Sequence, residues 1–93
     1  MKLPARYDKL TSYQRRKVRE QYVDEQNGLC WACYGDLKEK PTDVMDRYSV
    51  DLRLFPPGFL KYPVHLQHNH DTGLTEGAVH SYCNAVLWQY MDR

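Results

Sequence analysis

The chain has no apolar run approaching the roughly 20 residues that a membrane span requires, and its opening, Met1-Lys2-Leu3-Pro4-Ala5-Arg6, lacks the apolar middle of a secretory signal. A cytoplasmic protein with no membrane partner is therefore expected. Cysteine is scarce. Three cysteines cannot all pair within one chain, so a disulfide framework is excluded and metal ligation is the better use for them. Charge of one sign is scarce too: a formal net charge of +1 does not by itself announce a nucleic-acid binder, and only the placement of the charges can speak for one. The sequence carries no internal repeat and no low-complexity segment.

What remains is a chain of 93 residues, one small domain in the range where a hydrophobic core alone is marginal and a staple is often needed. Its balance of 42% hydrophobic and 27% charged residues separates it from disordered chains, and eight tyrosines suggest amphipathic packing surfaces.

Residues 1–10 contain a proline and no clear period, and read as an extended lead-in with a short turn near Tyr7 and Leu10. Thr11-Ser12-Tyr13-Gln14 fits a capping box that opens a helix over 11–27. Asn27-Gly28 supplies the left-handed residues that end it, and Tyr13, Val18, Tyr22 and Val23 form its apolar side. Arg15, Arg16, Lys17 and Arg19 crowd its first half while Asp24 and Glu25 close it, the reverse of what the helix dipole prefers. Such a face can neutralise phosphates, or it is the solvated side of a surface helix. Residues 36–63 read as a long irregular loop broken by Pro41, Pro56, Pro57, Gly58 and Pro63, in which Val50-Asp51-Leu52-Arg53-Leu54 alternates like a short strand. A loop of this length needs an anchor.

Residues 29–35, Leu-Cys-Trp-Ala-Cys-Tyr-Gly, have the spacing of a zinc knuckle, with Gly35 relaxing the exit. The same spacing occurs in redox motifs, but the helix and strand context of a thioredoxin-like domain is missing. A second pair with identical internal spacing, His80 and Cys83, lies far downstream. Together Cys30, Cys33, His80 and Cys83 offer the four nitrogen or sulfur ligands that structural zinc takes in tetrahedral geometry. Such a site would close the loop and couple folding to metal. The alternative is that Cys83 is a buried apolar residue and His80 an ordinary exposed histidine.

The densest chemistry lies in residues 64–93. Val64 and Leu66 alternate as in a strand, a turn containing Gly73 follows, Ala78 and Val79 mark a second strand, and a helix completes the unit, with Trp88 and Tyr90 expected to fill the seam between hairpin and helix. In Gln67-His68-Asn69-His70-Asp71-Thr72-Gly73 and Cys83-Asn84, and in the order of the elements from about Thr11 to Tyr90, the chain resembles the HNH (ββα-metal) nucleases. Within them it is most similar to the recombination endonuclease VII branch of phage enzymes.

The resemblance implies a single α+β domain, a small zinc-stapled ββα-metal (His-Me finger) fold with an N-terminal helix and a long irregular loop. It also implies a metal-dependent DNA endonuclease from a phage, acting in the host cytoplasm on duplex or branched DNA. His68 falls where the family has its general base. Gln67 and Asn84 fall where it has the ligands of a catalytic divalent cation, Mg²⁺ or Mn²⁺ beside the structural Zn²⁺, and His70 falls on the second histidine of the strand, on the same face as His68, where the family's contacts the scissile phosphate. The basic helix face (Arg15, Arg16, Lys17, Arg19) and loop lysines such as Lys38, Lys40 and Lys61 would hold the DNA backbone. Cutting both strands would take a homodimer or two successive nicks.

The chemistry is self-consistent, because phosphodiester hydrolysis needs a base that titrates near neutrality and a hard cation for the developing charge. The chain departs from the family where Gln67 and Asn69 stand in place of usual acids. An amide oxygen offers a cation a dipole and no charge, so metal affinity should fall. Two outcomes follow: a nuclease with a loosely held metal, or a catalytically weakened relative that binds DNA or protein.

Overall fold

The computed structural model describes residues 2–91, so expectations for residue 1 of the lead-in and for residues 92 and 93 of the final unit lie outside the described residues. Helix α1 spans Ser12–Glu25, and its start is the capping box read from the sequence. Thr11 Oγ1 accepts from the Gln14 amide at 3.1 Å, and Gln14 Oε1 accepts from the Thr11 amide at 2.9 Å. At the other end Asn27 (φ 55) and Gly28 (φ 75) turn the backbone left-handed, and the Gly28 amide donates back to the Val23 carbonyl at 2.8 Å. Val18 and Tyr22 are the buried side chains of this helix. Tyr13, expected on the same face, is 67% exposed. At 100° per residue it is turned about 140° from Val18, away from Tyr22, and it lies in solvent with Lys17 above its ring.

Strand β1, Val64–His68, pairs antiparallel with strand β2, Thr75–His80, in the register Val64↔His80 and Leu66↔Ala78. A β-bulge falls between Gln67 and His68. Helix α3, Ser81–Met91, starts directly after β2. The core gathers Val18 and Tyr22 from α1, Cys30 and Leu37 from the segment after it, Leu66, Ala78 and Val79 from the hairpin, and Cys83 from α3. No described helix is long and apolar enough to cross a membrane.

Two side-chain and main-chain bridges bind the hairpin to the rest of the chain. Ala5 and Thr75 exchange hydrogen bonds at 2.9 Å, Ala5 N to Thr75 Oγ1 and Thr75 N to Ala5 O, which draws the lead-in and its short 3-10 turn (Tyr7–Lys9) onto the hairpin tip. The Gln26 side chain acts like a stub of backbone: Oε1 accepts from Ala78 N and Nε2 donates to Ala78 O, both at 2.9 Å. Trp31 N donates to the same carbonyl at 2.9 Å. This approach explains Gly77, where a Cβ would come within 2.7 Å of the Trp31 ring and 2.8 Å of Gln26 Oε1.

Three expectations are corrected. The loop 36–63 contains a third, short helix, α2 at Thr42–Arg47, and residues 52–54 form a 3-10 turn in place of the strand read over Val50–Leu54. Asp51 caps that turn through the Arg53 amide and pairs with the Arg53 guanidinium, both at 3.0 Å, and these local bonds outweigh an alternation that has no core to face, since Leu52 and Leu54 are exposed. Trp88 and Tyr90 do not fill the hairpin–helix seam; each is 48% exposed. Tyr90 reaches the loop instead, donating to the Ser49 carbonyl, while Trp88 lies against the His70 ring. Finally β1 ends at His68, so His70 belongs to the turn and not to the strand.

Candidate metal centre and histidine cavity

The four expected metal ligands converge. The donor atoms of Cys30, Cys33, His80 and Cys83 all lie within 4.8 Å of one another, and three of the four residues are buried. Cys33 Sγ and Cys83 Sγ are 3.4 and 3.5 Å from His80 Nδ1. Bonds of about 2.3 Å to sulfur and about 2.0 Å to nitrogen in a tetrahedral zinc site imply sulfur–nitrogen separations of about 3.6 Å, so the cluster has the size of a zinc coordination sphere.

Local structure sets each ligand. After Cys30 the chain makes a tight turn in which the amides of Ala32 and Cys33 point at Cys30 Sγ (3.4 and 3.5 Å), and the Gly35 amide points at Cys33 Sγ (3.4 Å). The left-handed residue of the turn is Tyr34 (φ 63), not Gly35. Gly35 lies beside the cluster, where a Cβ would make van der Waals contact with Cys33 Sγ at 3.4 Å. His80 closes β2 and Cys83 lies in the first turn of α3, so one strand–helix junction supplies both remaining ligands. His80 Nε2 donates to the Asp36 carbonyl at 2.8 Å, which fixes the tautomer and leaves Nδ1 as a lone pair facing the sulfurs.

The thiol electrostatics are those of a site made for a cation. A hydrogen bond from Cys83 and the backbone N–H groups of Cys33, His80 and Ala32 hold the Cys30 thiol down to about 4, against burial, which pushes it up. The Cys83 thiol is pushed up by the proton it shares with Cys30 and by burial, and Cys33 by burial. Three sulfurs this close cannot all ionise unaided, and a divalent ion removes the conflict.

Apart from this cluster, a cavity of about 440 Å³ brings together most of the expected hydrolytic residues. Gln67, His68 and Asn84 line it, together with Arg15 and Arg19 from α1, whereas His70 does not, and among the described residues no carboxylate lines it. The bulge after Gln67 is the type of irregularity that re-aims a side chain beside a site. Gln67 is 1% exposed, and its Nε2 donates to the His68 carbonyl at 3.0 Å and to Glu76 at 3.4 Å. Asn84 is 8% exposed, and its Oδ1 is a buried oxygen with no hydrogen-bond partner among the described residues. The basic helix face divides. Arg15 and Arg19 face the cavity, whereas Arg16 and Lys17 pair with Glu20 at 3.5 and 3.6 Å and do not line it. Lys38, Lys40 and Lys61 do not line it either, and edge a separate cleft beside Leu37 and Pro41.

His68 stands in a column of rings. Tyr7 stacks flat on it (centroids 3.9 Å apart, planes 5° apart), the Arg15 guanidinium lies 3.9 Å from the Tyr7 centroid, and His70 meets the His68 ring edge-on at 4.6 Å. Arg15 also donates to the Tyr7 carbonyl at 3.1 Å. Burial first, then the His70 and Arg15 charges, press the His68 pKa below its ordinary value, so the ring is neutral near pH 7 and able to accept a proton. His65 is likewise lowered, chiefly by burial.

Sequence reasoning missed Tyr7, because a lead-in without periodicity gives no sign of where it docks. It also passed over His65, whose Nδ1 lies 3.1 Å from Asn84 Nδ2; its place two residues before Gln67, on the same strand face, was the available signal. No family model, curated protein or solved structure matches the chain. Fold and site together define a small α+β domain built around a Cys₃His cluster able to hold a metal ion such as zinc.

Proposed function

We propose that the chain is a metal-dependent DNA endonuclease of the ββα-metal type, with His68 as general base. The observation that supports this reading most is the meeting of His68, Gln67 and Asn84 with Arg15 and Arg19 in one cavity. A phosphodiester entering it would meet two guanidinium groups. His68, neutral and held against Tyr7, accepts the proton of the attacking water as the new oxygen–phosphorus bond forms and the ester bond breaks. His70, in contact with the edge of His68, would bear on the same phosphate through that ring. Asn84, whose Oδ1 is buried without a hydrogen-bond partner among the described residues, would be a ligand of the divalent cation, with Gln67 lining the space beside it. When bound, that cation supplies positive charge against the phosphate and the leaving oxygen.

Supercoiled plasmid incubated with the zinc-loaded protein and Mg²⁺ or Mn²⁺ should acquire nicks, and His68→Ala should abolish them. A second reading, a module that binds DNA without cutting it, is favoured by the uncharged Gln67 side chain, whose amide nitrogen is committed to His68 and Glu76. Intact plasmid together with a salt-dependent mobility shift would select the module, and the absence of any shift would count against both.

A further inference from the structure

The geometry points to a second divalent-cation site whose protein ligands are His65 Nδ1 and Asn84 Oδ1, with no direct bond from Gln67, and which takes a first-row transition metal such as Mn²⁺ in preference to Mg²⁺. The inference deepens the nuclease reading and rests on it for its catalytic meaning, but not for its chemistry.

The two side chains are already a ligand pair in spacing. Asn84 Nδ2 stands 3.1 Å from His65 Nδ1. An amide nitrogen can only donate, so Nδ1 is an acceptor there and carries a lone pair. The ring proton therefore resides on Nε2, and the ring also has the Phe59 backbone as a hydrogen-bonding neighbour. A ring tied by one nitrogen to a carbonyl and offering the other is the usual posture of a metal-binding histidine. Asn84 Oδ1 is buried and has no hydrogen-bond partner among the described residues, so none of them holds the amide on that side. Turning the amide over exchanges its nitrogen for its oxygen and sets two lone-pair atoms about as far apart as they are now. Adjacent ligands at about 2.1 Å from one octahedral ion are separated by about 3.0 Å. The pair thus has the bite of two cis positions, leaving four for water and phosphate.

Position explains why His65 can take the role that Gln67 fills poorly. The two residues lie on one face of β1, one pleat apart. Gln67 brings no charge, and its amide nitrogen is tied to His68 and Glu76. An imidazole nitrogen prefers Mn²⁺, Co²⁺ or Ni²⁺ to Mg²⁺, which favours oxygen. The cysteine cluster does not compete for Mn²⁺ once it is filled with zinc.

The test uses the zinc-loaded full chain and substoichiometric Mn²⁺, read as paramagnetic broadening of side-chain NMR signals without DNA. The Asn84 amide and His65 ring signals should broaden most, and a hundredfold excess of Mg²⁺ should restore them only in part. His65→Ala should reduce the broadening at Asn84 at least tenfold, whereas Gln67→Ala should change it less than twofold. In case His65→Ala disturbs the strand, Asn84→Asp provides the converse: an added carboxylate should tighten Mn²⁺ binding tenfold or more and leave His65 broadened. No selective broadening at His65 and Asn84, full reversal by Mg²⁺, or loss of binding in Gln67→Ala would each overturn the assignment. Mn²⁺ bound at His65 without DNA cleavage would uphold the site and remove the nuclease reading, so the two failures are distinguishable.

Discussion

Stripping the metal from the Cys₃His cluster should unfold the domain. A chain of 93 residues has a net stability of about 5–14 kcal/mol, and structural zinc in small domains contributes an apparent ~10–16 kcal/mol at neutral pH. The metal term is therefore as large as the whole. What it holds together has little stability alone: α1 is 14 residues long, near the length at which isolated helices are marginal, and a two-stranded sheet is marginal at best. The ligand pairs 30/33 and 80/83 are separated by about 50 residues of chain, so losing the ion frees a long loop as well as four ligands. Without the ion, burial and the proton shared between Cys30 and Cys83 leave the sulfurs in conflict. The assay is circular dichroism at 222 nm and in the near ultraviolet during titration with a strong chelator under reducing conditions. Loss of both signals at 25 °C is expected, with recovery on adding one equivalent of Zn²⁺. A chain shown to be metal-free that keeps its near-ultraviolet spectrum and melts cooperatively would refute the reasoning.

Gly77→Ala should cost about 1–3 kcal/mol, the range for overpacking, because its methyl group collides with Trp31; a denaturant midpoint equal to that of the parent would contradict the packing described. The His68 ring, followed by NMR, should titrate below 6.5, and Arg15→Gln should move that titration upward, since a guanidinium that disfavours the charged ring has been removed. For His68 and His65, with folded pKa values below the unfolded one, the unfolded chain takes up protons first as pH falls through 6.5, so their contribution to stability is intact above that value and declines below it. Tyr7→Ala should lower kcat for plasmid nicking about tenfold or more with little change in KM, and Tyr7→Phe should retain it, because the stacked face and not the hydroxyl holds the His68 ring.

The legible parts of this molecule are those written locally. The capping box of α1, the left-handed pair that ends it, the strand–turn–strand pattern and the two ligand pairs each depend on residues within a few positions of one another, and all appear where the spacing puts them. Gathering the four ligands into one cluster was readable because only one metal geometry uses both pairs. Long-range docking was not readable. Tyr7 reaches His68 through a segment whose own residues carry no period, and Gln26 clasps Ala78 through a side chain that a pattern of apolar positions ignores. Residues 50–54 misled because alternation signals a strand only when a face is buried, and here Asp51 and Arg53 closed a turn in solvent. Trp88 misled in the opposite sense, its size suggesting burial where the chain instead presents it to the cavity rim beside His70.

The way β2 is clasped has a consequence for how copies of the chain meet. Its outward amides and carbonyls are already taken at Thr75 by Ala5, at Ala78 by Gln26 and Trp31, and at His80 by the Cys30 sulfur. A bare hairpin invites an extra strand from a neighbour, the ordinary route to edge-to-edge aggregation. Along β2 that template is spent, so self-association of this domain has to use side chains or the opposite margin of the ribbon.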